Sequence, residues 1–287
     1  LAASIDADVA NSFKYIGNSV GTPGTTPATS LVLLQAQQKL NENAAVMSPR
    51  YATVNPAANA ALIEGMKGLF NPVSAISKQF KNGMFGEGIL GYDELNMSQS
   101  IKQFTTGSRT GTVTVSSTVT SEGSTTVVLT GLGSTTIKAG DVFTIANVYA
   151  VNPQTRESTG SLYQFVALAD VTASTTASVT VPAMYSASQA LATVDALPVA
   201  TAAVTFLGAA STQYPQNLIY HRDAITFATA DLLMPQGVDM ASRQVHNGIS
   251  LRVVRQYDIN NDRMPCRIDV LYGYSVIRPQ MAVRLWG

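Results

Sequence analysis

NLIYHRDAITFATADLLMP (residues 217–235) opens the stretch that decides the fold of this chain, and RIDVLYGYSVIRPQMAVRLWG (residues 267–287) closes it. Between and within them lie two runs rich in Val, Ile, Leu and Tyr, residues 249–257 and 267–277, joined by the polar segment DINNDRMP (258–265). Asp, Asn and Pro between β-branched runs signal the turn of a β-hairpin. No part of this stretch reads as a reaction site. It reads as a sheet that other parts of the chain, or other copies of it, must cover.

The order of these pieces, with Tyr272-Gly273, Arg278-Pro279 and Arg284-Leu285 near the end, resembles the C-terminal part of the major capsid proteins of tailed phages, which have the Hong-Kong-97-type fold. Within that group the chain is most similar to the P-twenty-two-like podovirus coat family, in which an extra β-barrel is inserted in the capsid fold. The resemblance implies an α+β fold with a spine helix, a P-domain and an A-domain. It implies a structural role without catalysis or cofactor. Copies would join in hexamers and pentamers and tile an icosahedral shell around double-stranded DNA. A scaffolding protein during assembly and a portal at one vertex are implied as partners. The implied location is the virion, with assembly in the cytoplasm of the bacterial host. Relatives carry an N-terminal arm and an extended loop ahead of the first helix. Neither is expected in this chain, which starts at Leu1, so the natural chain is expected to begin earlier.

The residues outside that stretch are read on their own terms. At 287 residues the chain has room for two domains of ordinary size. Hydrophobic residues make up 46% and charged residues 13%, the latter about half the usual share. Lys plus Arg and Asp plus Glu both number 18. A net charge near zero argues against a dedicated nucleic-acid binder, which needs a basic face. It also argues against a monomer kept apart by self-repulsion and favours self-contact. A shell that contains DNA without gripping it fits the same balance. The single cysteine, Cys266, excludes an internal disulfide and fits a reducing compartment. There is no run of apolar residues long enough for a membrane-spanning helix and no secretory signal pattern, so no membrane partner is expected.

Along the chain, Ile5, Val9, Phe13 and Ile16 form one stripe and predict a helix over residues 1–20. GTPGTTP (21–27) is turn-forming. Residues 30–43 predict a second helix with Leu31, Leu34 and Leu40 on one side, and 50–54 an extended run. Asn55-Pro56 is a helix start, Asn as cap and Pro at the first helical position, leading to Leu62, Ile63 and Met66. Residues 70–80 read as a short helical piece, 83–91 as a loop, and 99–104 as extended.

At about Thr105 the composition shifts to Thr, Ser, Val and Ala. Alternation marks strands at 110–117, 124–130, 141–151, 161–168, 177–182 and 202–208. Six short strands with turns between them read as an all-β sandwich or barrel. The segment begins and ends inside the sequence of the other domain. The expected organisation is therefore 1–104 as the first part of the core, 105–213 as the inserted β-domain, and 214–287 as the second part of the core. A β-domain of this composition also suits a binding module or adhesin that displays a glycan- or receptor-binding face. The α/β framework that resumes after Gln213 favours the capsid reading.

Several motifs have blander readings. GEGILG (86–91) spells the dinucleotide fingerprint, but Lys81-Asn82-Gly83 precedes it and Tyr92-Asp93-Glu94 follows, without the strand and helix that the motif needs. His221-Arg222-Asp223 spells a kinase catalytic triplet. The required Asn falls at Ala228 and no glycine-rich loop with a downstream Lys exists, so Asp223 is expected to serve a helix start. Asp258, Asn260 and Asp262 match the first ligands of a calcium loop, yet Arg263 stands where Gly is required and Asp269 where Glu is. His221, His246, Cys266 and Asp239 match no zinc spacing. A Cys–His nucleophile pair meets only in space, and Cys266 between Pro265 and Arg267 reads as inert. No catalytic, cofactor-binding or metal residue is expected.

The basic residues of the C-terminal part are all Arg, interleaved with Asp. These are either solvated surface pairs worth little each or salt bridges between copies that fix register. Arg252, Arg255, Arg263 and Arg278 are the candidates for subunit contacts, together with Arg156 and Glu157 in the polar loop NPQTRESTGS (152–161).

Overall fold

The stripe at the start of the chain forms α1 (Ala2–Val9) and buries Ile5. The helix then tightens into a 3-10 stretch, Ala10–Tyr15, that buries Phe13. The α-helix expected to residue 20 gives way at Ala10, and the chain turns extended at Ile16. The computed structural model describes residues 2–66 and 87–287. The helical piece expected at 70–80 lies outside the described residues.

Next come β1 (Ser19–Val20), α2 (Ser30–Glu42) and β2 (Arg50–Val54). The expected face of α2 is corrected: Leu33, Ala36 and Leu40 are buried, whereas Leu31 and Leu34 are exposed. Leu31, Leu33 and Leu34 lie in the first turn and a half and point in different directions, so spacing within the helix does not choose between them. The turn that follows α2 is held by the buried Arg50, which donates through Nε to Val46 O (2.8 Å) and through Nη2 to Ala45 O (2.7 Å) and to Asn41 Oδ1 in the last helical turn (2.8 Å). A cation suits that end of a helix. α3 (Pro56–Met66) starts as read from Asn55-Pro56, and Asn55 Oδ1 accepts the Ala58 N–H at 2.9 Å.

β3 (Glu87–Ile89) and β4 (Tyr92–Met97) form a hairpin across Leu90-Gly91, with φ of 55° and 78°. Two positive φ values are the mark of a type I′ turn. The last residues of GEGILG thus form a strand and a tight turn rather than a loop, with no helix after them to cradle a phosphate. β5 (Gln103–Thr105) follows.

Eight strands then share one core: β6 (Thr114–Val115), β7 (Ser124–Thr130), β8 (Thr135–Ile137), β9 (Val142–Val151), β10 (Ser158–Val166), β11 (Val171–Ala173), β12 (Thr176–Met184) and β13 (Val204–Phe206). They make three small sheets, ordered β10-β9-β13, β11-β8 and β12-β7-β6. The inward residues of the alternating runs meet in one cluster that includes Val127, Leu129, Ile137, Phe143, Phe165, Val179 and Val181. The six expected runs are all represented; β8 and β11 were too short to show a period.

The chain returns through β14 (Gln213–His221), followed by a 3-10 turn, β15 (Ile225–Ala230), β16 (Met240–His246), β17 (Ile249–Arg255), β18 (Cys266–Val276), a second 3-10 turn (Pro279–Met281) and β19 (Ala282–Trp286). A seven-stranded sheet runs β1-β19-β14-β2-β4-β3, with β5 also on β14. Thr105 and Gln213 are register partners there, so the chain leaves this sheet and rejoins it at neighbouring points. All five residues of β19 are buried, as a strand covered on both faces should be. The chain is thus β-rich with few helices. Contacts divide it into one unit of residues 1–224 and 276–287 and a second, Ile225–Ser275.

Two arginines are buried with their partners: Arg109 joins loops of the eight-stranded region, and Arg284 ties that region to the seven-stranded sheet. Arg109 Nη1 lies 2.8 Å from Asp141 Oδ1, and both side chains are buried. The same carboxylate accepts the N–H groups of Lys138 (2.8 Å) and Gly107 (3.1 Å). Arg109 Nη2 donates to Gly208 O at 3.1 Å, and its guanidinium covers the Phe206 ring. Burial pushes the Asp141 carboxyl up and the Arg109 guanidinium down; their mutual attraction acts against both shifts. At the centre of β19, Arg284 donates through Nε and Nη2 to Gln216 Oε1 (2.9 and 2.7 Å) and through Nη1 to Gly140 O (2.6 Å). Phe13, Phe104 and Trp286 surround it. Burial lowers this guanidinium, with Asp141 acting in the opposite sense. Gln164 adds an amide clamp, accepting the Ser19 N–H at 2.8 Å and donating to Ser19 O at 3.0 Å.

Candidate association surfaces

The smaller unit is one sheet, ordered β15-β18-β17-β16, in which β17 runs antiparallel to both β18 and β16. The hairpin read from the sequence is there, with Leu251 opposite Val270 and Arg255 opposite Cys266. β16 was not expected. It joins β17 through Asn247-Gly248, both at positive φ, another type I′ turn. Within this unit Ser250 alone is buried. Phe227, Val245, Ile268 and Leu271 are exposed along its strands. A sheet that exposes apolar side chains and buries almost nothing of its own is a surface suited to cover by further protein.

Electrostatics hold this sheet in register. Arg252 on β17 faces Asp269 on β18, with Nη2 to Oδ2 at 2.5 Å, and Arg267 donates to the other carboxylate oxygen. Together they hold the Asp269 carboxyl below its usual range, Arg252 contributing first. A carboxyl lowered in the folded state stabilises it above the unfolded value, about pH 3.9 for Asp, and that contribution is lost as pH falls through the folded value. Acidification below about pH 4 is therefore expected to lower the protection of backbone amides in β17 and β18 relative to the unfolded chain at the same pH. Asp269→Asn is expected to be less protected already at neutral pH and to lose the acid dependence of that protection. An unchanged acid dependence in Asp269→Asn would remove Asp269 as its source.

The candidate contact residues are dispersed. Arg252 and Arg255 are engaged within the chain, by Asp269 and Asp239. Arg263 closes the hairpin turn through backbone hydrogen bonds with Asp258 (2.8 and 3.3 Å). All three belong to the smaller unit. Arg278, Arg156 and Glu157 belong to the larger one, with exposed side chains. Arg278 donates its backbone N–H to Ala224 O at 3.2 Å. Arg156 sits at φ 60° in a tight loop that Asn152 organises, its carbonyl accepting the Arg156 N–H at 2.8 Å and its side chain the Gln154 N–H at 2.8 Å.

The remaining motifs resolve into local structure. Asp223 lies in a 3-10 turn, Arg222–Ala224, rather than at the start of an α-helix. Its N–H donates to Nδ1 of the buried His221 at 3.2 Å. Asp258 accepts the Asn260 N–H (3.1 Å) and Asn261 Nδ2 (2.7 Å), and the Tyr257 hydroxyl donates to Asp262 at 2.8 Å. These carboxylates build the turn. Cys266 is exposed at the start of β18. Among the described residues no three His, Cys, Asp or Glu converge to hold a metal ion, and no helix is long and apolar enough to cross a membrane.

Comparison with known proteins places this geometry. The family model for "P22 coat protein - gene protein 5" matches residues 1–287. No curated protein matches. Among solved structures, one chain from Mycobacterium phage Che8 is 11% identical, with a TM-score of 0.45 over 99% of this chain and 58% of that one. This chain therefore spans little more than half the length of that relative. The CUS-3 coat protein I-domain is 29% identical, with a TM-score of 0.27 over 34% of this chain and 96% of its own. With the family match running through every element described above, the chain belongs to the P22 coat protein family.

Proposed function

We propose that the chain is a major capsid subunit of a tailed double-stranded DNA phage, which assembles with itself into an icosahedral shell. The observation in the structure that carries this reading is the sheet of residues 225–275, which exposes apolar side chains and buries only Ser250. Such a surface is suited to cover by further protein. Membership of a coat protein family implies a non-enzymatic, self-assembling subunit located in the virion. That membership, spanning the whole chain, does not favour the adhesin alternative.

The finer organisation belongs to the same proposal. The Hong-Kong-97-type core is formed by 1–104 and 214–287, and 105–213 is a β-domain inserted in it. The pairing of Thr105 with Gln213 supports that boundary. Copies form hexamers and pentamers, with a scaffolding protein during assembly in the host cytoplasm and a portal at one vertex. The near-zero net charge suits a wall that encloses DNA without sequence-specific binding.

The test is the mass of particles formed by the full-length chain, by light scattering with negative-stain imaging. Closed shells of megadalton mass are expected; a full-length chain that stays monomeric or forms small rings would overturn the proposal. Arg156, Glu157, Arg252, Arg255, Arg263 and Arg278 remain candidates for contacts between copies. The double variant Arg156→Ala with Glu157→Ala is expected to lower the yield of stable shells. A normal yield would remove that loop from the interface.

A further inference from the structure

The loop between β15 and β16, DLLMPQGVD (residues 231–239), is uncharged between two aspartates. Both aspartates are neutralised within the chain. Asp231 Oδ2 lies 3.2 Å from Arg243 Nη1, and Asp239 Oδ2 lies 3.0 Å from Arg255 Nη2. Between them, Arg252 Nη1 donates to Leu233 O at 2.5 Å. The backbone is therefore held at three points by arginines of β16 and β17. The side chains between those points are turned outward: Leu233 is 88% exposed, and Met234 is exposed beside it. No other large hydrophobic residue of the described chain is as exposed as Leu233. A loop fixed in this way loses little conformational freedom on binding.

The larger unit contains a surface of matching chemistry. A groove of about 520 Å³ is lined by Tyr15, Tyr163, Tyr185, Pro182 and Leu191, with Gln164 among its polar groups. No lining residue is charged, and Leu191, 69% exposed, stands at its rim. An unpaired charge carried into such a site would be costly. The loop brings none, because both flanking aspartates already have partners.

We propose that loop 231–239 of one copy seats Leu233 and Met234 in the tyrosine- and proline-lined groove of a second copy. This deepens the self-assembly reading and rests on it. The occupant is a second copy because one chain carries both surfaces, each uncharged, one projecting and one concave. Projection and groove are different surfaces, so the contact is either reciprocal about a two-fold axis or repeated head-to-tail around a ring.

The test uses the full-length chain with Cys266→Ser. One population carries Leu233→Cys and another Leu191→Cys; both positions are exposed, so folding is not at risk. After mixing, assembly and mild oxidation, a disulfide-linked dimer is expected only when both populations are present. Neither population alone should cross-link, nor should Leu233→Cys mixed with Ser174→Cys at an unrelated exposed site. Leu233→Glu is expected to weaken association at least about tenfold, as loss of an apolar anchor does. Particles of normal mass without the 233–191 cross-link would overturn the contact and leave the assembly reading standing. Absence of both particles and cross-link would overturn the two together.

Discussion

Arg109→Ala is expected to destabilise the folded chain by about 3–5 kcal/mol, the usual effect of removing one partner of a buried ion pair. The total stability of a domain is only about 5–15 kcal/mol, so much of the chain should aggregate on expression at elevated temperature. The cause is the carboxylate left behind. Asp141 is fully buried, and without Arg109 it keeps only the N–H groups of Lys138 and Gly107 to offset its lost hydration. Gly208 O and the Phe206 ring lose their cation as well. The double variant Arg109→Met with Asp141→Leu should recover most of the loss, because an apolar pair of similar volume removes the charge and its desolvation together. Urea unfolding of the wild type, Arg109→Met, Asp141→Leu and the double variant completes the cycle. A single-variant loss below about 1 kcal/mol, the level of a surface pair, would show that Asp141 reaches water and that the pair is not a structural pin.

Arg284→Ala is expected to cost about as much, roughly 3–5 kcal/mol, for a different reason. It leaves Gln216 Oε1 and Gly140 O buried without a donor, at about 1–3 kcal/mol each. It also opens a cavity among Phe13, Phe104 and Trp286, with a further penalty. Relief from burying a cation offsets part of the sum. Arg284→Lys should rescue little. Two guanidinium nitrogens converge on one Gln216 oxygen while the third reaches Gly140, and a compact ammonium cannot reproduce that planar fork. Thermal unfolding compares the three chains, and amide exchange at the strands of the eight-stranded region shows whether its attachment has loosened. A lysine variant within about 0.5 kcal/mol of the wild type, the scatter of ordinary surface changes, would reduce Arg284 to a space-filling role.

Much of the fold was legible because its signals are local. The Asn55-Pro56 helix start works within one turn, and the structure shows the hydrogen bond that the residue types implied. The strands at 124–130 and 141–151 alternate strongly enough to reveal themselves. The same locality explains the misses. α2 presents leucines in several directions, and only packing against the rest of the larger unit selects Leu33, Ala36 and Leu40 for burial. β16 reads MASRQVH, without alternation, because neither of its faces is buried.

The candidate surfaces were less legible than the fold. The abundance of Arg and Asp near the C-terminus was visible as composition, but the partners were not. Arg255 meets Asp239 only because β16 lies antiparallel to β17 and brings the end of the 231–239 loop alongside. A signal did exist in DLLMPQGVD, where an uncharged run stands between two acids in a chain whose acids and bases balance.

Composition, turn chemistry and short-range period determine that this chain is β-rich and low in charge, and the order of its last segments points to the coat proteins. Tertiary structure settled which faces are covered and which charges are buried. Arg284 in AVRLW reads as an ordinary outward cation in a strand, yet it lies fully buried under Gln216, Gly140 and three aromatic rings. Period and propensity act over a few residues, whereas burial of a charge depends on partners 32, 68 or 144 positions away, which only the closed fold brings together.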